Sequence, residues 1–433
     1  MGAVIPCSQM TLLAGDHEPP VVVGEGEITV RTTTSFGYTL RGLPEDIGHA
    51  LRSLNRIEAD PYNGLLRERL TATTGDGVEL AGGWTIPKVH IPEDGGNWVF
   101  RGVIDAVSFH QNGEFDPGTE VAFILPPENR VRIILRRFFP RPIVGGLPEV
   151  RLAIGDDEII LTLDDEADLL LVLAPATAVL QLTNTENWLG EPLRILFGQQ
   201  IYPRFVSRQS ETWSMSWVRP SPPWSRASNA CALWQGDNEL IDNVGFWETY
   251  RRLLTYIATA VDKDGSRNFE ANRLTELYGE VIQAAHGSRW VWALTYASAI
   301  EALVELLGFA SQPRTDIDSE ALGQLQKSVA AFKSYIDLWT GDQSLKEPAK
   351  RAASRMLKMS AVQSLRQLEA EKWVTKDQVG AWEKLRNDVM HGKLVSPYSS
   401  AEDDKMLLDL AHLFHSLTRR LIADVKLGST DAA

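Results

Sequence analysis

The spacing of the apolar residues changes about halfway along the chain, and this change constrains the fold more than any other feature. Up to about residue 230, short segments alternate between apolar and polar residues, as in Glu27–Thr34, Trp98–Ile104 and Glu158–Leu163. Alternation of this kind, between clusters of Gly, Pro, Asp and Asn, indicates strands. After the proline-rich segment 217–226, apolar residues recur every three or four positions, which indicates helices. The sequence therefore predicts an α+β multidomain protein, with a β-rich N-terminal domain followed by an all-α helical bundle.

The domain boundaries follow from this change in pattern. The 433 residues exceed the usual size of one domain, about 100 to 200 residues, so we expect two domains. A β-rich sensor or recruitment domain is predicted at 21–230 and a helical domain at 241–427. A linker at 231–240 separates them, and tails are predicted at 1–20 and 428–433.

Caps and breakers in the second half indicate where helices begin and end. Gly308 follows an apolar stripe from Trp292 to Leu307 and is suited to end that helix. Thr375 followed by Gln378 is a capping-box pattern that opens a later helix. Further helices are predicted over Leu322–Leu338, from Pro348 to about Leu368, and from about Glu402 to Val425.

Charge and cysteine content exclude several classes of protein. A net charge of -14 argues against a surface that binds polyanions over its whole area, because each phosphate contact needs a local cation. Cys7 and Cys231 are too few for a disulfide framework, which favours a reducing compartment. The N-terminus lacks the basic region of a secretory signal, and no window reaches the roughly 18 uninterrupted apolar residues of a membrane span. We expect a cytoplasmic protein with no membrane partner.

The residues best suited to chemistry lie on the helix opened at Thr375. Its predicted core stripe is Val379, Trp382, Leu385 and Val389, which leaves Arg386, Asn387 and His391 at or beyond the edge of that stripe. Gly392 is suited to the C-cap, where the helix dipole favours a protonated His391. An Arg can neutralise a phosphate, and a His near neutrality can exchange a proton.

The spacing of Arg386 and His391 also bears on oligomeric state. Five positions at about 100° per residue leave the two side chains about 140° apart, so one helix does not aim both at one phosphate. Asn387 and His391, four positions apart, share a face. We therefore expect a homodimer in which two copies of the helical domain form a composite site.

These residues resemble the signature of a known superfamily. The run Leu385–Gly392 resembles the Arg-x4-6-His motif of the HEPN superfamily, in the form where Asn follows the Arg and Gly follows the His. The helix 297–307, with Glu301 before Ala302 and Leu303, is similar to the Glu-Ala-Leu helix of the ApeA-like branch of bacterial anti-phage defence proteins. The similarity covers about residues 240–427, and the β-rich first half resembles that branch in architecture only.

The resemblance implies a HEPN-type helical bundle that cleaves RNA without a metal or other cofactor. The ribose 2′-hydroxyl would attack the adjacent phosphate, leaving a cyclic phosphate and a 5′-hydroxyl. Carried over by position, Arg386 binds the phosphate, His391 acts as acid or base, and Asn387 orients His391 or contacts RNA. Glu301 matches a family position. The implied partners are an RNA substrate, tRNA among them, and a phage-derived trigger or an antitoxin, in phage defence by abortive infection.

Three other interpretations of the motif stay open on the sequence alone. It can be a solvated helix end, with Arg386 paired to Glu383 or Asp388. The bundle can also be a catalytically inactive binding or dimerisation module. Alternatively, the chain is the toxin component of a toxin–antitoxin pair.

Two basic clusters are candidate contacts for RNA. The first, directly before the motif helix, has Glu347 as its only acid; an RNA backbone track and a solvated surface are both consistent with it. The second is predicted to lie on a strand face of the β-rich domain, with Phe138 and Phe139 as stacking surfaces, and a role in solubility is favoured over RNA contact. The first cluster comprises Lys346, Lys350, Arg351, Arg355 and Lys358, to which Lys393 adds a cation beside His391, and the second comprises Arg130, Arg132, Arg136, Arg137 and Arg141.

Asp409, His412 and His415 have a spacing compatible with a metal on one helix face. The neighbouring Leu410 and Leu413 favour ordinary packing in the bundle instead. We therefore predict no metal site.

Overall fold

The computed structural model confirms the α+β layout, with an antiparallel β-sheet region followed by a helical region. It describes residues 3–15, 18–32, 35–60, 67–126, 129–141, 146–201, 203–220, 228–235, 245–261, 265–267, 272–309, 314, 317–390, 395–396 and 398–425. The chain forms two compact units, Met1–Leu193 with Ile201–Ser225 and Arg194–Gln200 with Arg226–Leu427.

The first unit contains the strands, which alternate buried and exposed side chains as the sequence predicts. All neighbouring strands pair antiparallel in one sheet, in the order β10-β11-β12-β9-β13-β14-β8-β5-β4-β1-β2-β3-β7-β6. The strands are β1 Ala3–Leu13, β2 Pro20–Thr32, β3 Ser35–Gly42, β4 Glu68–Thr74, β5 Glu79–Thr85, β6 Lys88–His90, β7 Trp98–Ile104, β8 Val107–Asn112, β9 Gly118–Ile124, β10 Glu149–Ile154, β11 Asp157–Asp164, β12 Leu169–Pro175, β13 Pro203–Gln209 and β14 Trp213–Val218.

A hydrophobic core lies against one face of β1 to β5 and β7. Met10, Leu12, Phe36, Leu70 and Phe100 are completely buried in it. Alternate residues of each strand point to the same face, so one face supplies this core, while the other carries polar side chains together with exposed apolar ones such as Trp84 and Val103. The helices that begin in this unit are α1 Ile47–Ala59, α2 Asn129–Phe138 and α3 Thr185–Phe197.

The predicted N-terminal tail at 1–20 is wrong for Ala3–Leu13. These residues form β1, which pairs with both β2 and β4. The register with β2 shifts between Cys7 and Met10. An irregularity of this kind interrupts the alternation by which a strand is recognised in sequence.

The second unit is helical. Tyr278, Tyr296 and Phe414 lie at its centre, with ring centroids 4.6 Å apart for Tyr278 and Phe414 and 5.7 Å apart for Tyr296 and Phe414. Its helices are α4 Phe246–Ala258, α5 Arg273–Ala284, α6 Arg289–Leu306, α7 Ser319–Leu338, α8 Lys346–Arg355, α9 Ala361–Ala370, α10 Lys376–Met390 and α11 Ala401–Ala423, with 3-10 turns at Asn229–Cys231 and Gln343–Leu345.

Two sequence-based boundaries in this unit are wrong. The predicted linker 231–240 is not a linker at Cys231–Trp234, because these side chains are at most 2% exposed. The single helix predicted from Pro348 to about Leu368 is two helices, α8 and α9. Ser360 begins α9 with a capping box to Gln363, and this box starts a new helix rather than continuing α8.

Other helix boundaries agree with the sequence. α6 ends at Leu306, and Gly308 follows with φ +79°, the left-handed conformation that glycine adopts at low cost. Ser400 caps α11 by accepting a hydrogen bond from the backbone N–H of Asp403. None of the helices in the described part of the chain combines the length and the apolar character needed to span a bilayer.

Candidate active site

The motif helix α10 begins and packs as the sequence predicts. The Thr375 hydroxyl accepts a hydrogen bond from the Gln378 N–H at 3.3 Å, and the Gln378 side chain accepts one from the Thr375 N–H at 2.8 Å. Val379, Trp382 and Leu385 are at most 1% exposed. Arg386 and Asn387 are exposed. The core stripe therefore turns both polar residues of the motif toward solvent.

Trp382 attaches α10 to α6. Its indole Nε1 donates a hydrogen bond to the backbone carbonyl of Ala297, with an N···O distance of 3.2 Å. Glu301 lies four positions after Ala297, and Arg386 lies four positions after Trp382. Because residues four apart share a helix face, this attachment brings Glu301 and Arg386 to the same side of the helix pair.

Arg386 and Glu301, both predicted as site residues, form an ion pair between α10 and α6. The Arg386 Nε lies 3.2 Å from the Glu301 Oε1. The guanidinium carbon is also 5.4 Å from the centroid of the Trp382 ring. A cation held over an indole at this distance gains about 0.5 to 1 kcal/mol at an exposed site. The Arg386 side chain is therefore oriented by two neighbours.

The ion pair leaves the guanidinium accessible to a ligand. The side chains of Arg386 and Glu301 are 53% and 46% exposed. An exposed pair of this kind contributes roughly 0 to 1 kcal/mol, because water screens it. A guanidinium has five N–H donors. Its contact with Glu301 through Nε thus leaves donors for a phosphate.

Among the described residues, Arg386 does not pair with Glu383, which was one of the alternative partners. Glu383 instead accepts a hydrogen bond from Arg366 of α9 at 2.8 Å. Arg366 also bonds Glu369 at 2.7 Å. In place of the alternative pairing with Glu383, Arg386 forms an interhelical ion pair with Glu301.

The remaining motif residues divide between described and undescribed parts of the chain. Asn387 is exposed, and its side chain has no hydrogen-bond partner among the described residues. His391, Gly392 and Lys393 lie outside the described residues. The shared face of Asn387 and His391, and the meeting of Arg386 and His391 across a dimer, stay predictions.

The basic cluster of α8 is less basic than its sequence suggests. Lys350 pairs with Asp337 at the end of α7 and lies 3.5 Å from Glu347. The hydrogen bond to Asp337 is the main reason why the pKa of Lys350 is raised. Lys346 donates to the Asp337 backbone carbonyl at 2.9 Å. Glu347 is therefore not the only acid at this cluster.

Three cations of the cluster remain accessible. Arg351, Arg355 and Lys358 are exposed, and none of them has an ion pair with the described residues. Helix α8 packs mainly against α7 rather than against α10. The structure therefore does not bring these cations next to Arg386.

The second arginine cluster was predicted on a strand, and this prediction is wrong. The segment forms α2, because Val131, Leu135 and Phe139 recur at helical spacing and are at most 6% exposed. Arg132 pairs with Asp168 at 2.8 Å and Arg136 pairs with Asp165 at 2.6 Å. These ion pairs favour a structural role for the cluster.

His415 belongs to the core of the helical unit. It is 2% exposed; its Nε2 lies 2.8 Å from the Ala230 carbonyl oxygen, and its Nδ1 lies 3.0 Å from the Tyr278 hydroxyl. Since a carbonyl only accepts, Nε2 carries the proton and Nδ1 accepts from Tyr278. Burial lowers the pKa of His415 to about 3. Both ring nitrogens are therefore used in packing, as the neighbouring leucines indicated.

Within the described ranges, no group of three His, Cys, Asp or Glu side chains is arranged to hold a metal ion. Cys7 and Cys231 are both buried free thiols. Burial raises the pKa of the Cys231 thiol to about 11, which keeps it protonated and unreactive near neutral pH.

Sequence reasoning missed the second role of Trp382. It was assigned to the core stripe, but its ring also lies beside the Arg386 guanidinium. The sequence contains a signal for this contact, because a Trp four positions before an Arg on a helix is within reach of it.

No protein-family model, no curated protein and no solved structure matches this chain.

Proposed function

We propose that the chain is a metal-independent endoribonuclease of the HEPN type, whose site is built on α10 and α6. The observation that carries this proposal is the Arg386–Glu301 ion pair, which joins two residues that the HEPN resemblance assigns to one site. The pair orients an exposed guanidinium. A positioned Arg can bind a phosphate through two parallel N–H···O bonds.

The reaction assigns a distinct role to each residue. Arg386 neutralises the scissile phosphate, and Glu301 orients Arg386. His391, placed here by the motif alone, exchanges the proton of the 2′-hydroxyl or of the leaving 5′-oxygen. Asn387 orients His391 or contacts RNA. Transesterification by the 2′-hydroxyl needs no metal, and its products are a 2′,3′-cyclic phosphate and a 5′-hydroxyl.

The test is cleavage of RNA by the purified full chain in excess chelator. Wild type is expected to cut total RNA or tRNA and to leave cyclic-phosphate and 5′-hydroxyl ends. Arg386→Ala and His391→Ala are each expected to abolish cleavage. Lys384→Gln is a matched control, because Lys384 is exposed on the same helix and pairs with Glu402. Cleavage that survives in both site variants, or that stops in chelator, contradicts the proposal.

A second function remains, in which the bundle is a catalytically inactive binding or dimerisation module. The observation that favours it is the exposed apolar surface of α7, where Phe332, Tyr335 and Leu338 are 50%, 67% and 80% exposed. Exposed apolar groups in such proximity are typical of association surfaces. Under this alternative no RNA is cut, and Arg386→Ala changes the oligomeric state measured by light scattering.

The biological setting is part of the same proposal. An RNase of this kind in phage defence stops translation in an infected cell, by abortive infection. A toxin–antitoxin pair is the alternative setting, and it predicts a neighbouring gene whose product neutralises the chain. Growth arrest on induced expression, relieved by His391→Ala, is expected in both settings, and coexpression of the neighbouring gene distinguishes them.

A further inference from the structure

The β-sheet unit contains an open cavity of about 670 Å³, within the range of small-molecule sites. Its walls are β3, β7 and the segment that joins β5 to β6. Gly37 and Gly102 lie in the lining, and the side chains of Tyr38 and Thr85 lie over Gly102. The cavity is thus large enough for a ligand of nucleotide size.

Lys88 and Arg101 line this cavity as direct cross-strand partners. They are paired in the β6–β7 register, and adjacent side chains at such positions have Cβ atoms about 4.5 to 5.5 Å apart. Like charges directly opposite one another destabilise a sheet. An anion bound between them would replace this repulsion with two attractions.

The cations of the cavity have no acidic partner. Lys88, Arg101 and Arg67, the third cation of the lining, form no ion pair with any part of the chain that the structure describes. A lysine on an edge strand can also serve to block aggregation, and that role would need neither Arg101 nor Arg67.

Large apolar groups are exposed beside these cations. Trp84, Ile86 and Val103 are 49%, 42% and 65% exposed, and all three line the cavity. A simple inorganic anion would leave these surfaces in water. A ligand that also carries a flat ring could stack on Trp84 and bury them.

Two residues of the lining, Tyr38 and Thr85, carry buried hydroxyls with unused hydrogen-bonding capacity. Tyr38 Oη and Thr85 Oγ1 are buried and interact with each other, and neither has a further hydrogen-bond partner among the described residues. Both lie over Gly102, where a Cβ atom would be 3.0 Å from Tyr38 Oη and 2.5 Å from Thr85 Oγ1. A hydroxyl has one donor and two acceptor sites, so each of the two retains capacity for another hydrogen bond.

We propose that this cavity binds a nucleoside monophosphate. Lys88, Arg101 and Arg67 hold the phosphate, and Trp84 stacks on the base. Asp105, also in the lining, accepts hydrogen bonds from ligand amino or hydroxyl groups and disfavours additional phosphates. This site lies in the other unit from Arg386 and does not depend on the proposed nuclease activity.

The test is calorimetric titration of the full chain at low salt with each of the four 5′-ribonucleoside monophosphates. Binding of at least one of them below millimolar concentration is expected, at least tenfold tighter than inorganic phosphate or the matching nucleoside. Absence of binding for all four, or phosphate binding as tightly as the nucleotide, overturns the proposal.

Variants of the lining residues test whether the nucleotide binds in the cavity. Trp84→Ala and the double variant Lys88→Gln with Arg101→Gln are each expected to weaken nucleotide binding at least tenfold. Arg41→Gln is the matched control, because Arg41 is an exposed cation of β3 outside the lining, and its affinity should stay within twofold of wild type. Near-wild-type affinity in both cavity variants overturns the assignment.

A final measurement distinguishes binding of a free nucleotide from binding of a nucleic acid strand. The probe is a 2′-O-methyl hexaribonucleotide, which transesterification by a 2′-hydroxyl cannot cleave. Tighter binding of the hexamer than of the monophosphate, abolished in the double variant, would make the cavity an RNA contact and overturn the proposal. Weaker binding of the hexamer supports it. Each result is independent of whether the chain cuts RNA.

Discussion

The Arg386 Nε lies 3.2 Å from the Glu301 Oε1, although the two residues belong to different helices. The contact follows from the Trp382 hydrogen bond to the Ala297 carbonyl, one helical turn earlier on each helix. An exposed ion pair contributes little to stability. Its main consequence is to orient the guanidinium.

If Glu301 positions Arg386 for RNA cleavage, Glu301→Gln should lower the cleavage rate about tenfold. Arg386→Ala should lower it at least 100-fold, since removal of one group that stabilises the transition state costs about 10² to 10³ in rate. Initial rates on a labelled RNA measure both. The melting temperature should not change, because the pair is exposed. A faster Glu301→Gln enzyme would instead mean that Glu301 competes with the phosphate.

Trp382 should be a major contributor to the stability of the helical unit. Trp382→Ala is expected to lower the free energy of unfolding by about 3 to 5 kcal/mol, because it empties a buried site and leaves the Ala297 carbonyl without its donor. Thermal unfolding of the full chain measures the effect. Trp339→Phe is the control: Trp339 is 36% exposed, and a change within about 0.5 kcal/mol is expected. Equal effects would contradict the packing described.

His415 should make the helical unit sensitive to acid. Its folded-state pKa of about 3 lies below the ordinary value of 6.5. Between these values the unfolded chain binds one more proton than the folded chain. The free energy of unfolding therefore falls as the pH is lowered from about 6.5 toward 3, by about 1.4 kcal/mol per pH unit from this group.

Denaturant unfolding at several pH values tests this dependence. His415→Gln can keep both hydrogen bonds but cannot titrate, so its stability should fall less steeply with decreasing pH than that of wild type. His412→Gln, at an exposed position of the same helix, should keep the wild-type slope. The same slope in all three proteins would mean that His415 is not the titrating group.

The accessible cations of α8 should govern any contact of that helix with RNA. Replacing Arg351, Arg355 and Lys358 by Gln should weaken RNA binding and reduce the slope of log Kd against log salt by about 0.7 for each phosphate that these side chains neutralise in wild type. Lys350→Gln should have a smaller effect, because Asp337 already neutralises Lys350. Filter binding across a salt series distinguishes the two. Unchanged RNA affinity in the triple variant would mean that this face of α8 does not contact RNA.

Gly198 should tolerate no side chain. It follows α3 with φ +62°, and a Cβ atom would lie 2.5 Å from the Cys231 carbonyl carbon and the Ala232 nitrogen. Gly198→Ala is expected to cost more than about 2 kcal/mol of stability, since the clash adds to the backbone cost. Gly308→Ala is the control, since Gly308 has φ +79° but open space around its Cβ position, so only the backbone cost of about 1 to 2 kcal/mol applies. Similar losses of stability in both variants would show that a small shift of Cys231 and Ala232 removes the clash with a Cβ atom at position 198.

Much of the helical unit follows from local sequence. The capping box of Thr375 and Gln378 and the glycine after α6 are interactions within one or two turns, so the residues themselves determine them. The stripe of Val379, Trp382 and Leu385 likewise sets which face of α10 is buried. The exposure of Arg386 and Asn387 was therefore predictable.

Other features depend on residues that are distant in sequence. Asp337 neutralises Lys350 only because α7 packs on α8, and a count of charges within 346–358 cannot include it. β1 has an irregular register, and its pairing with β4 became visible only in the folded sheet. The arginine segment 130–141 forms a helix rather than the predicted strand, because its buried apolar residues have helical spacing.

The sequence by itself determined the order of β-rich and helical halves, the helix that carries Arg386, and the side of that helix which faces solvent. These follow from periodicity and capping, which act over a few residues. Only the tertiary structure decided that Arg386 meets Glu301 rather than Glu383, and that Lys88, Arg101 and Trp84 surround one cavity. The Arg386–Glu301 contact joins segments far apart in the chain, and the cavity requires the pairing of neighbouring strands, so the packing of whole elements selects both from many arrangements of similar energy.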